Sequence, residues 1–406
     1  MRPVRIASPV PVAEDDAPAL DGFLDPKTAA AVRAYHASFP EYEPTPLVHL
    51  KALEKRLGLA GLYVKDESYR FGLNAFKVLG GSYAIGRYLV ERFGIAPENL
   101  TFDALMAPEL HDEIAKLTFV TATDGNHGRG VAWTANRLGA KSVVYMPKGS
   151  AAERLENIRA AGAEASITEF NYDDAVRFAA AQAEENGWIM VQDTAWEGYE
   201  DIPTWIIQGY STMSYEATKQ LPAAPTHVFV QAGVGSLATS VTGFFTAAYP
   251  TCPPTVCIVE PDDAACVYQT AATDDGALHP VMGDMPTIMA GLACGEPCTV
   301  GWPYLRAYAR HFLSVPDEFA AYGMRLLAAP QGGDACVTSG ESGAAGLGTV
   351  AAIMSEPALA GVRERLGLDE NSVVVCFSTE GATDRAGFED IVWKGAYPME
   401  EVECAC

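Results

Sequence analysis

The stretch LTFVTATDGNHGRGVAWTANRLGAKSVVYMP, residues 117–147, holds two apolar, β-rich runs separated by one segment of helix length. LTFVTAT (117–123) and KSVVYMP (141–147) read as strands, and the segment from His127 reads as a helix with Asn126 positioned as its N-cap. A strand, a helix and a second such strand make a βαβ unit, whose crossover leaves the two strands parallel. The pattern continues downstream. EASITEF (164–170) follows a helix from Ala151, and WIMVQD (188–193) follows a helix from Asp173. Strands spaced by single helices predict a parallel sheet.

Upstream, GLYVKDE (61–67) reads as a strand, followed by a helix from about Ala75 with Asn74 as N-cap. Downstream, LPAAPT (221–226) interrupts the pattern and marks a candidate domain crossing. A second series follows in HVFVQA (227–232), TVCIVEP (255–261) and SVVVCFST (372–379). A chain of 406 residues suits two domains at the usual size of about 100–200 residues each. The expected fold class is α/β: two domains, each a mainly parallel twisted sheet flanked by helices, with the active site in the cleft between them. The expected division is a large phosphate-binding domain, 1–88 with 223–406, and a small domain, 89–222. Residues 1–25 read as an irregular, acidic, proline-rich extension.

Composition removes several function classes. With 52 acidic and 28 basic residues the net charge is −24, which argues against nucleic acid and anionic membranes as partners. The uncharged stretch 220–259 is broken by Pro222, Pro225, Gly233, Gly235, Pro250 and Pro253–Pro254, so it reads as buried strand, loop and helix rather than a membrane span. The N-terminus has prolines and consecutive acids where a secretory leader needs an apolar core, so the expected location is the cytoplasm. Nine cysteines, an odd number, suit reduced thiols. Neither Cys294 and Cys298 nor Cys404 and Cys406 have the partners a structural zinc needs, and no metal is expected.

Three loops at strand ends carry the chemistry. QAGVGSLA (231–238) lies between a strand and a helix, where backbone N–H groups cradle a phosphate. As Gly-x-Gly-x-x-Ala it also fits a dinucleotide site, with Glu260 placed near where a ribose-binding acid lies. TATDGNHGRG (121–130) gathers Thr123, Asp124 and Asn126 at the carboxyl end of a strand, where α/β sheets bind ligands. In FSTEGATD (377–384), Ser378 and Thr379 are placed either to cap a helix or to donate to a ligand.

Lys77 joins these loops into one reading. It is the only charged residue between Arg70 and Arg87 in RFGLNAFKVLGGSYAIGR. Its apolar neighbours and the positive end of a helix dipole both push its pKa down. A lowered pKa is what a lysine needs to form a Schiff base. An isolated lysine of this kind would snorkel to the surface. Together with a phosphate loop it points instead to an aldehyde cofactor bearing one phosphate, pyridoxal phosphate.

Lys77 in NAFKVLGG, the Thr-Asp-Gly-Asn loop at 123–126 and GVGSLA at 233–238 resemble the fold-type II pyridoxal-phosphate enzymes. KDESYRFGLNAFK, TDGNHGRGVAW, YMPKGSA, VQDTAWEGY, IPTWIIQGY, IMAGLACGEP, SGESGA and STEGATD are similar to the diaminopropionate ammonia-lyases within that group, over about residues 65 to 384. The resemblance implies that Lys77 holds the cofactor as a Schiff base and that Gly233, Val234, Gly235, Ser236 and Leu237 bind its phosphate. It implies that Asn126 bonds the phenolic oxygen and that Ser378 or Thr379, with Thr379 favoured, faces the pyridine nitrogen. A small amino-acid substrate would meet Thr123, Asp124, Gly125 and Asp193, and the assembly would be a homodimer.

The simple dehydratases read Ser-x-Gly-Asn with an uncharged second residue; here that residue is Asp124, and Asp193 ends a strand on the same side of the sheet. Two carboxylates suit a substrate with two amino groups, each close pair being worth roughly 4 kcal/mol before desolvation at an effective dielectric of about 20. The expected reaction is loss of ammonia from D- and L-2,3-diaminopropionate, giving pyruvate and two ammonia. Asp193, with Lys77 as an alternative, is the expected base for the L isomer and Asp124 for the D isomer. A serine or threonine ammonia-lyase is the nearer alternative. A nicotinamide-dependent dehydrogenase is the other, and it leaves Lys77 unexplained. Cys266 and Cys294 are expected to lie near each other.

Overall fold

The carboxyl ends of parallel strands gather the loops singled out above, so strand order decides what meets. The computed structural model describes residues 3–123 and 125–399. Its strands are β1 (Arg5–Ala7), β2 (Leu47–His49), β3 (Gly61–Asp66), β4 (Thr118–Ala122), β5 (Lys141–Met146), β6 (Glu164–Ile167), β7 (Ile189–Met190), β8 (His227–Gln231), β9 (Thr255–Pro261), β10 (His311–Val315) and β11 (Val373–Ser378).

Two sheets result: a seven-stranded one in the order β1-β10-β9-β8-β11-β3-β2, and a four-stranded one in the order β6-β5-β4-β7. The smaller sheet is parallel throughout, as its βαβ spacing requires. The larger is parallel at its centre, with β1 and β2 antiparallel at its edges. Every residue of β3, β8 and β10 is buried, the pattern of strands covered by helices on both faces. The pairing of Ser378 with Asp66 brings the ends of β11 and β3 level, so the loops that follow them emerge together.

Several local expectations shift. The N-terminal extension is not wholly irregular, because Arg5–Ala7 pairs with β10 as an edge strand. WIMVQD supplies only a two-residue strand. The helix carrying Lys77 runs Val78–Phe93, with Lys77 itself at the cap position. Asn74 does not cap it: its φ is +60°, and residues 74–76 are instead tied to the end of β11. Phe76 N–H donates to Thr379 O at 3.1 Å, and Gly381 N–H donates to Asn74 O at 3.0 Å.

Glycines set how closely the helices around Lys77 approach. A Cβ on Gly209, in helix Asp201–Gln220, would lie 2.5 Å from Leu79 O. A Cβ on Gly130, in helix Asn126–Leu138, would lie 2.7 Å from Val78 Cα. The start of the Lys77 helix is therefore gripped on two sides, and Asn126 is drawn towards Lys77.

Behind the segment leading to Lys77 sits a buried ionic cluster. The Arg70 guanidinium makes paired bonds of 2.8–2.9 Å to Glu67 and of 2.9 Å to Glu216. Lys65 Nζ donates to Glu216 Oε2 at 2.6 Å. Two cations face two anions, so the charges are balanced and their lone pairs used, the condition under which buried ions are tolerated. The cluster fastens β3 and residues 67–70 to helix Asp201–Gln220. Among the described residues no single helix is long and apolar enough to cross a membrane.

Candidate active site

A cleft is lined by Lys77, Thr123, Asn126, Asp193, Gly233, Val234, Gly235, Ser236, Leu237 and Thr379, residues drawn from loops of both sheets. Lys77 Nζ donates to Asp193 Oδ2 at 2.5 Å. Asp193 Oδ1 accepts from Tyr172 Oη at 3.2 Å and from Gln192 Nε2 at 3.3 Å. Burial by itself would raise the Asp193 pKa; the adjacent Lys77 charge, then His127 and the hydrogen bonds, outweigh it and hold the carboxyl well below the ordinary range. An amine and an acid in contact here place a proton donor and acceptor at one point.

Residues 233–237 run from the end of β8 into helix Ser236–Ala248. Gly235 has φ +103°, a conformation that a residue with a side chain resists. The first amides of that helix lack intrahelical partners, and residues 233–237 line the cleft, the setting for a phosphate. Ser236 Oγ donates to Asp193 O at 2.6 Å, so the loop also holds the acid's backbone.

Of the two hydroxyls after β11, Ser378 is fully buried and its Oγ donates to Ser339 Oγ at 2.8 Å, whereas Thr379 lines the cleft. Gln231 Nε2 faces Ser342 O at 2.9 Å and Phe377 O at 3.0 Å, and these carbonyls only accept, which fixes the amide's orientation. The same nitrogen donates to Thr379 Oγ1 at 2.9 Å. The threonine oxygen is thus occupied as an acceptor, and its proton is left to point elsewhere, as a donor to a neutral ring nitrogen must.

Asn126 opens its helix, with Gly125 in the cap position, and donates from Nδ2 to Glu380 Oε2 at 2.5 Å. Thr123 Oγ1 accepts from Gly125 N at 3.0 Å and Gly128 N at 3.2 Å, so it holds the loop's shape. Gly125 is not among the residues lining the cleft, and a Cβ on it would lie 3.0 Å from Arg154 Cδ. Asp124 lies outside the described residues.

Glu260, the acid placed near a ribose in the dinucleotide alternative, is fully buried and accepts from Val267 N at 2.9 Å and Tyr268 N at 2.5 Å. It closes the start of helix Cys266–Thr273 and is not among the residues that line the cleft. Cys266 and Cys294 both adjoin Gly233 as unbridged thiols.

Sequence reasoning missed His127, Tyr172, Gln231, Ser342, Glu380 and the wall formed by Ala290, Gly291, Leu292 and Cys294, all of which line the cleft. Gln231 and Glu380 adjoin motifs already singled out, at the ends of β8 and β11, and that position was the available signal. Segment 290–294 carries no periodic pattern.

An amine, a phosphate cradle, an amide donor and a neutral hydroxyl donor around one cleft fit an aldehyde-bearing ring with one phosphate. Comparisons agree. A family model described as "Pyridoxal-phosphate dependent enzyme" matches residues 39–379. The diaminopropionate ammonia-lyase of Salmonella typhimurium is 53% identical over 369 residues, covering 90% of this chain and 91% of that protein. The crystal structure of Escherichia coli diaminopropionate ammonia lyase in complex with an aminoacrylate-PLP azomethine reaction intermediate superposes with a TM-score of 0.88 at 45% identity, covering 97% of this chain and 98% of that one. The complex of the same enzyme with D-serine gives a TM-score of 0.89 at 44% identity, with the same coverage.

Proposed function

Because the chain belongs to the pyridoxal-phosphate-dependent enzymes, and among them to the diaminopropionate ammonia-lyases, we infer that it eliminates ammonia from 2,3-diaminopropionate to give pyruvate and two ammonia. The observation that carries this reading is the Lys77–Asp193 contact in a cleft floored by the 233–237 loop.

Pyridoxal phosphate, when bound, draws electrons away from the substrate's α-carbon. Lys77 supplies the amine that holds it, the amides of Gly233, Val234, Gly235, Ser236 and Leu237 take the phosphate, and Asn126 donates to the phenolic oxygen. Thr379 donates to the pyridine nitrogen in place of an acid. Lys77 Nζ, in contact with Asp193 Oδ2, governs how readily that carboxylate takes a proton: while the amine carries its charge, the Asp193 carboxyl is held below its ordinary range.

Asp193 takes the α-proton of the L isomer, with Lys77 as the alternative base, and Asp124 takes that of the D isomer. The carbon–nitrogen bond at the β-carbon breaks, the nitrogen keeps the electron pair, and it leaves as ammonia after receiving a proton. Lys77 and Asp193 hold such a proton at Nζ and Oδ2. The unsaturated amine released takes up water and yields pyruvate and the second ammonia. Thr123 and Gly125 shape the loop that meets the substrate.

The two sheets support a division into domains 1–88 with 223–406 and 89–222. A homodimer follows from the resemblance, and the unbridged thiols among the described cysteines suit the cytoplasm. The test is pyruvate and ammonia release from both diaminopropionate isomers and from serine. Diaminopropionate should be turned over with two ammonia per pyruvate and a higher kcat/KM than serine. Faster release from serine would make the chain a serine ammonia-lyase instead.

A further inference from the structure

Glu380 stands where three parts of the site meet. Its backbone pairs with Ala75, two residues before Lys77, and its carbonyl accepts from Gly340 N at 2.9 Å. The residue is only 3% exposed. Oε1 accepts from Ser342 N at 3.3 Å, while Oε2 accepts from Thr383 Oγ1 at 3.2 Å and from Asn126 Nδ2 at 2.5 Å. The last bond crosses the cleft, from the helix that follows β4 to the end of β11.

A carboxylate only accepts hydrogen bonds, so it admits one orientation of the Asn126 amide, with the nitrogen towards Glu380. A phenolate oxygen also only accepts. The second Nδ2 hydrogen is the one group on this amide able to serve it. An amide turned over would present a carbonyl to the phenolate and repel it.

We propose that Glu380 is a positioning residue, whose reach across the cleft fixes the donor edge of Asn126 towards the cofactor's phenolic oxygen. The proposal rests on the cofactor assignment above. Position, rather than charge, does the work.

Two variants separate those terms. Glu380→Gln keeps the reach and one acceptor but loses the charge; Glu380→Asp keeps the charge but is one methylene too short. The readouts are the Kd for pyridoxal phosphate and the ratio of the long-wavelength to the near-ultraviolet absorption band, which reports ionisation of the phenolic oxygen. Glu380→Asp should weaken cofactor binding about tenfold, the worth of one hydrogen bond to a charged group, and enlarge the near-ultraviolet band. Glu380→Gln should stay close to the parent protein in both. In an Asn126→Ala background the two variants should be indistinguishable. The reverse order of effects, or losses that add to those of Asn126→Ala, would overturn the proposal. A parent protein that takes up no pyridoxal phosphate would instead overturn the cofactor assignment.

Discussion

Lys77 Nζ and Asp193 Oδ2 are 2.5 Å apart although 116 positions separate the residues in the chain. Neither side chain has much water around it, with 19% of Lys77 and 4% of Asp193 exposed. The pair makes each partner's chemistry depend on the other.

Removing the amine should therefore do two things. Lys77→Met should abolish the visible cofactor band and turnover. It should also leave Asp193 buried without its main counter-charge, costing the apoprotein about 3–5 kcal/mol at neutral pH. In the parent protein the Asp193 carboxyl lies below its ordinary value of 3.8, so its contribution is present above that pH and is lost as the pH falls below it. The stability gap between parent and variant should close as the pH falls, beginning where the buried Asp193 of the variant, its pKa raised by the loss of Lys77, takes up a proton. Denaturant unfolding of the apoproteins from pH 7 downwards measures it, and adding Asp193→Asn to Lys77→Met should recover most of the loss.

Gly235→Val should weaken cofactor affinity. The position has φ +103°, and a Cβ there would lie 3.2 Å from Leu305 Cδ1, so the loop must shift away from the conformation that aims its amides. Titration of the apoprotein with pyridoxal phosphate gives the Kd. An unchanged Kd would remove this loop from the phosphate site.

Glu216→Gln should cost about 3–5 kcal/mol, because it leaves Lys65 and Arg70 buried with Glu67 as the remaining anion. These cations hold the Glu216 carboxyl below its ordinary value of 4.5 against the opposing effect of burial. Its stabilisation is therefore full above that pH and fades below it, and the difference in denaturant midpoint between parent and variant should shrink in acid.

The parts of the site legible in the sequence are those encoded locally. Lys77 stands out because no other charge is near it, and Gly233 and Gly235 because a strand precedes them and a helix follows. Asn74 misled because its helix-capping chemistry is real, but pairing of the 74–76 backbone with residues 379–381 took precedence. Glu380 and Asn126 lie 254 positions apart, and a hydrogen bond of that span leaves no local pattern. The short edge strand Arg5–Ala7 is likewise fixed by its partner β10 rather than by its own three residues.

Removal of an α-proton is stereospecific, so one base cannot serve both enantiomers on opposite faces of a planar system. The most direct test of the account is kcat on D- and L-2,3-diaminopropionate for Asp124→Asn and Asp193→Asn. Asp124→Asn should lose D activity by a factor of about 10²–10⁴, the usual worth of a general base, while largely keeping L activity. Asp193→Asn should show the opposite preference, less sharply, because Lys77 stands beside the same face. Equal losses on both isomers in both variants would contradict the two-base assignment and leave the acids as binders of the substrate's ammonium groups.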